Sequence, residues 1–127
     1  MYLRFIIHQI NESSGVETGI FQIAYDLVEK SQLTDYETKR INELLNWFAI
    51  NLKNPYKSGK FNKNDLKKSI SWFKSNAHIC IKKIYELIYI IEENGYFVEC
   101  IKTIKPGRIK YEDDFQILAI PYKDSYR

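Results

Sequence analysis

The stretch "NDLKKSISWFKSNAHICIKKIYELIYIIEENG", residues 64–95, decides how the chain folds. Leu66, Ile70, Phe73, Ala77, Ile81, Ile84, Ile88 and Ile91 recur every three to four residues, the spacing that lines one face of an α-helix. The pattern predicts a single helix of about seven turns starting near Asn64 or Asp65, with "SNAH" (75–78) as the one place where it could break. Gly95 stands where a helix closes on a left-handed residue.

Upstream, "YLRFIIHQI" (2–10) is rich in β-branched and aromatic residues, with Leu3, Phe5 and Ile7 alternating, and it runs into the turn cluster "NESSG". It reads as a strand. Ile20, Ile23, Ala24, Leu27 and Val28 then follow helical spacing, so a first helix is expected between Gly19 and Ser31. "TDYE" at 34–37 is a capping box, in which a Thr hydroxyl and a Glu carboxylate each accept a bond from the other residue's backbone N–H at a helix start. The second helix carries the stripe Ile41, Leu44, Leu45, Phe48 and Leu52 and stops at Asn54-Pro55, since a residue before proline is pushed out of the α region. Downstream, "YFVECIKTIK", the Pro106-Gly107 turn, "RIKYE", the "DD" turn and "FQILAIPY" read as three strands in two hairpins. The expected order is β-α-α-α-β-β-β. It describes a single α+β domain over 1–127, with a four-stranded, mostly antiparallel sheet and three helices packed on one face.

At 127 residues and 45% hydrophobic, the chain can build a core without metals or disulfides. Cys80 and Cys100 are expected as reduced core residues. No run approaches the roughly eighteen apolar residues of a membrane span, and the start lacks the pattern of a secretion signal, so a cytoplasmic protein without membrane association is expected.

Catalytic chemistry has few candidates. His8 and His78 are the only histidines, and neither has a nucleophile or a second base at a recognisable spacing. His78 and Cys80 lie two apart and would face different directions on a helix, which argues against a shared metal. Glu112, Asp113 and Asp114 could hold a hard cation, but acidic residues also dominate turns, and the turn is the preferred reading. No glycine-rich phosphate loop is present. Neither a catalytic residue, a metal site nor a cofactor is therefore assigned.

Charge is more informative. The net charge is +3, yet residues 53–83 hold nine lysines against Asp65 alone, so that segment is +8 and the remainder is −5. Lysines interleaved with aromatic rings supply what a polyanion binder needs, positive charge for phosphates and flat faces for bases. Tyr56, Lys57, Lys60, Phe61, Lys63, Lys67, Lys68 and Trp72 form the candidate ligand-binding set, while Phe73 belongs with Leu66 and Ile70 in the core. Lysine greatly outnumbers arginine, as expected of a low-GC coding bias, which weakens any argument from lysine identity.

"SISWFKSNAH" (69–78) and "TIKPGRIKYEDDFQILAIPY" (103–122), with "MYLRF" and "GIFQIAYDL", resemble a set of small hypothetical bacterial proteins to which no activity, ligand or catalytic residue is attached. The resemblance spans most of the chain. It implies a bacterial or phage cytoplasmic protein that works as a single domain. The expected function is non-catalytic binding of a nucleic acid or nucleotide. The alternative is an immunity- or inhibitor-type protein that blocks a partner protein, and a metal-dependent enzyme ranks last. The long third helix and the strand edges also offer surfaces for a homodimer.

Overall fold

In place of one helix from Asn64, the computed structural model has a helix, a strand and a second helix: α3 (Lys63–Lys68), β3 (Ile70–Lys74) and α4 (His78–Glu93). It describes residues 1–10, 17–30, 33–54 and 63–122. β3 has a partner on each side. Its end pairs antiparallel with β1 (Tyr2–Ile10) through Leu3↔Phe73, and its length pairs with β6 (Gln116–Ile120) from Ile70↔Ala119 to Phe73↔Gln116. Neighbouring side chains on a strand point to opposite faces, and Trp72 and Phe73 are both buried, so β3 is covered on both faces. Such a strand has no polar alternation, and a short apolar run of that kind fits a helical stripe equally well. The break comes at "SNAH": Ala77 N–H bonds Lys74 O at 3.1 Å, and α4 then opens with Ile81 N–H on Ala77 O at 2.9 Å. Ile84, Ile88 and Ile91 are buried on α4 as their spacing predicts. Gly95, at φ 95°, follows the helix end.

The α+β class stands, with corrected detail. Among the described residues there are six strands and four helices rather than four and three, because β2 (Glu17–Gly19) is added and the third helix divides. The remaining elements are α1 (Ile20–Glu29), α2 (Asp35–Asn51), β4 (Val98–Thr103) and β5 (Arg108–Glu112). Every pair of strands with a defined register is antiparallel. No helix among the described residues is long and apolar enough to cross a membrane.

The chain forms two compact units, with β1, α4 and β4 each divided between them. Unit 1 comprises residues 1–4, 52–81 and 101–127; unit 2 comprises 5–51 and 82–100. In unit 1 the strand path is β1-β3-β6-β5. Trp72, Ile117 and Ala119 form a buried cluster against which Tyr2, Ile70 and Ile101 pack. The β5–β6 hairpin contains a bulge between Ile109 and Tyr111, where one extra residue, Lys110, is inserted. Both cysteines are free, and Cys80 is buried in this unit, its thiol pushed up to about 12 by burial and then by the charge of Asp113.

In unit 2, β1 pairs with β2 from Ile6↔Gly19 to Ile10↔Glu17, and β4 also pairs with β1. α1 buries Ile20, Ile23, Ala24 and Leu27, and α2 buries Ile41, Leu44, Leu45 and Phe48. Phe21 meets Phe48 edge to face, with ring centroids 5.0 Å apart. The expected capping box is formed: Thr34 N–H donates to Glu37 Oε1 and Glu37 N–H to Thr34 Oγ1, each at 3.1 Å.

Candidate functional site

Of the eight residues expected to bind a ligand, Tyr56, Lys57, Lys60 and Phe61 lie outside the described residues. Lys63 opens α3, with its side chain also outside the described set. Lys67 and Lys68 are exposed in the last turn of α3. Trp72 is a correction: it is only 3% exposed, at the centre of the Trp72–Ile117–Ala119 cluster, and has no open face on which a base could stack. The helical reading turned Trp72 away from the core, whereas the strand that forms covers both of its faces.

Unit 1 adds basic residues that the sequence reading did not group with the segment 53–74. Lys110, at the β5 bulge, places Nζ 3.7 Å from Asp65 Oδ2 on α3, which brings α3 alongside β5 and its exposed Arg108. The acidic residues here are largely engaged. Glu112 pairs with Lys74 at 2.5 Å, and that bond raises the Lys74 ammonium above its usual value. Asp113 serves the turn between β5 and β6. Its Oδ1 accepts from the N–H groups of Phe115 (2.8 Å) and Gln116 (3.0 Å), and its Oδ2 accepts from the Tyr111 hydroxyl (2.8 Å) and Gln116 Nε2 (3.2 Å). Burial alone would raise the Asp113 pKa, but these bonds outweigh it and hold the carboxyl below its usual range. Among the described residues, no group of three or more His, Cys, Asp or Glu is disposed to hold a metal.

By contrast, exposed Lys53, Lys67, Lys68, Lys102, Lys105 and Arg108 form no ion pair with any described acidic residue. Charge follows the units closely. Unit 1 has 14 basic and 5 acidic residues, net +9, and unit 2 has 5 basic and 11 acidic, net −6.

Unit 2 holds a second feature, a groove of about 710 Å³ lined by α2 and α4. Arg40 Nη2 on α2 meets Glu86 Oε2 on α4 at 2.7 Å, and Asn94 Nδ2 donates to Glu37 Oε2 at 3.2 Å, so the start of α2 lies against the end of α4. Tyr36, Tyr85 and Tyr89 line the groove with 75%, 51% and 67% of their surface exposed. The sequence reading missed them. The signal was present on α4, where Tyr85 and Tyr89 are one turn apart and off the stripe Ile84, Ile88, Ile91. His8 Nε2 bonds the Glu99 carboxylate elsewhere in this unit, with no metal-ligand set among the described residues.

Comparison with protein-family models, with curated proteins and with solved structures gives no match for this chain.

Proposed function

We propose that the protein is a small, non-catalytic binding protein that docks an anionic ligand of the nucleic-acid class on the basic surface of unit 1. One observation carries the reading: the acidic side chains of unit 1 are largely engaged internally, while Lys53, Lys67, Lys68, Lys102, Lys105 and Arg108 are exposed without a described acidic partner. Such a surface attracts phosphates over a distance of about one Debye length and binds them by releasing counterions. The lysines at 57, 60 and 63 and the rings of Tyr56 and Phe61 complete the candidate set in the same sequence segment. The reading goes with a cytoplasmic setting in a bacterium or phage.

The test is anisotropy of a labelled single-stranded oligonucleotide across a salt series. Five phosphate contacts give a slope of log K against log salt of about −3.5. Lys67→Glu/Lys68→Glu/Arg108→Glu should abolish binding at moderate salt. Affinity that is insensitive to salt, or unchanged in the triple variant, would refute the assignment. One observation favours the alternative, an immunity- or inhibitor-type protein that blocks a partner protein: the tyrosine-lined groove of unit 2.

A further inference from the structure

We infer that the α2–α4 groove of unit 2 docks a segment of a partner protein that is aliphatic along its middle and carries Arg or Lys at one end. The inference rests on the second reading above and supplies its partner chemistry; it does not depend on the basic surface of unit 1.

The rings come first. Tyr36 and Tyr89 are both more than two-thirds exposed around one concavity, and half-exposed Tyr85 lies between Lys82 and Tyr89 along α4. Tyrosine offers a large contact area with little side-chain entropy to lose, which is why it anchors protein interfaces. The Tyr85 ring also packs edge to face on buried Phe5, with centroids 5.6 Å apart, so that part of the floor is held in place.

The charges then give the groove a direction. α4 contributes Lys82, Tyr85, Tyr89 and Glu93 in order, and the eleven steps from Lys82 to Glu93 rise about 16 Å. That length matches five extended residues or three helical turns of a partner. In the middle, the Arg40 guanidinium is already neutralised by Glu86 at 2.7 Å. Charge without an ion-pair partner among the described residues therefore sits at the two ends. Lys82 stands at one, and Glu93 at the other, beside Glu37, which the Asn94 bond places there. Glu37 is held ionised: the bond from Thr34 N–H, helped by those from Asn94 and the Thr34 side chain, outweighs desolvation and keeps its pKa below the usual range.

A partner cation at that end meets two carboxylates and the faces of Tyr36 and Tyr89, which attract cations through the ring quadrupole. An anionic ligand would meet the same two carboxylates and be repelled, so nucleic acid is the wrong occupant here. The net −6 of unit 2 steers a basic partner towards the groove.

Selection of a displayed random 12-residue peptide library on the full-length protein, read by sequencing, tests the inference. Enriched peptides should carry Arg or Lys at one end of an aliphatic run. Tyr36→Ala/Tyr89→Ala removes two largely exposed rings, so its far-UV circular dichroism and melting temperature should match the parent while enrichment falls at least tenfold. Glu93→Lys takes that end from −2 to 0 beside Glu37 and should abolish the preference for a basic end. Lys67→Glu/Lys68→Glu should leave the enrichment intact, which separates this site from the unit 1 surface. Three results would overturn it: no enrichment, enriched peptides without basic ends, or equal enrichment on the tyrosine double variant.

Discussion

Replacing Gly107 by alanine tests how tightly the start of β5 is built against the end of β6. Gly107 sits at φ 122°, in the left-handed half of backbone space that L side chains disfavour. A Cβ there would stand 2.1 Å from Ile120 O, 2.6 Å from Ile120 C and 2.7 Å from Pro121 Cα, whereas ordinary contact begins at 3.4 Å. All three neighbours are backbone atoms and cannot rotate away, so relief requires the strand ends to part by about 1.3 Å, the gap between 2.1 and 3.4 Å. The first rung of the hairpin, Arg108↔Ile120, lies at that point. The backbone conformation costs about 1–2 kcal/mol, the overpacking about 1–3 kcal/mol, and a lost rung about 1 kcal/mol. The sum is roughly 3–6 kcal/mol, a large share of the stability of a chain this size. At roughly 4 °C per kcal/mol, the melting temperature should fall by about 12–24 °C. Gly95→Ala is the control. Gly95 also has positive φ, at 95°, but nothing lies within 4 Å of its added Cβ, so only the conformational cost of about 1–2 kcal/mol applies. Urea unfolding of both variants isolates the clash as their difference. Equal destabilisation of the two would refute the close approach of Gly107 to Ile120.

Two further predictions concern unit 1. Asp113→Ala strands four donors and should cost about 2–3 kcal/mol, whereas Asp114→Ala should stay within about 0.5 kcal/mol of the parent. Because the native Asp113 pKa is depressed, its contribution is complete above the ordinary Asp value of about 4 and fades as pH falls through the native value; urea midpoints of parent and Asp113→Ala should therefore converge in acid, and a gap that widens there would contradict this. The Trp72 Nε1–H is buried with no hydrogen-bond partner among the described residues, so Trp72→Phe gives up no hydrogen bond and should cost less than about 2 kcal/mol by urea unfolding, against about 3–5 kcal/mol for Trp72→Ala; a Trp72→Phe cost as large as that of Trp72→Ala would contradict this.

What could be read from sequence was what local chemistry determines. The capping box at Thr34–Glu37 needs only four residues, and both of its bonds are made. α1 and α2 each show one polar and one apolar face, so a period of 3.6 identifies the inward side without knowledge of what covers it. β3 depended on remote partners. Ile70, Ser71, Trp72, Phe73 and Lys74 can lie on a helix or a strand, and β6, more than forty residues later, supplies the antiparallel edge that selects the strand. The same remote pairing buried Trp72 and removed it from the candidate site. The joining of Tyr36 to the Tyr85 and Tyr89 pair was illegible for a related reason: Tyr36 lies almost fifty residues before Tyr85, and contacts such as Arg40–Glu86, Glu37–Asn94 and Lys83–Trp47 bring their helices together.

Charge shows the same division between chain order and topology. Read along the chain, the densest run of positive charge ends at Lys83, and residues 53–83 are one block of +8. In the structure Lys82 and Lys83 belong to acidic unit 2, while Lys102, Lys105, Arg108 and Lys110 join unit 1 through β4, β5 and the turn between them. The basic surface therefore joins the lysine run to the β5–β6 hairpin rather than resting on that run alone, and reversing charge on β5 alone should weaken oligonucleotide binding even with every lysine of 53–74 intact. Arg108→Glu/Lys110→Glu separates the two accounts. Lys110 also neutralises Asp65, so its reversal removes a local ion pair as well as the proposed phosphate contact, and Arg108→Glu by itself tests the proposed phosphate contribution without that complication. Binding unaffected by either variant would return the site to the lysine segment alone.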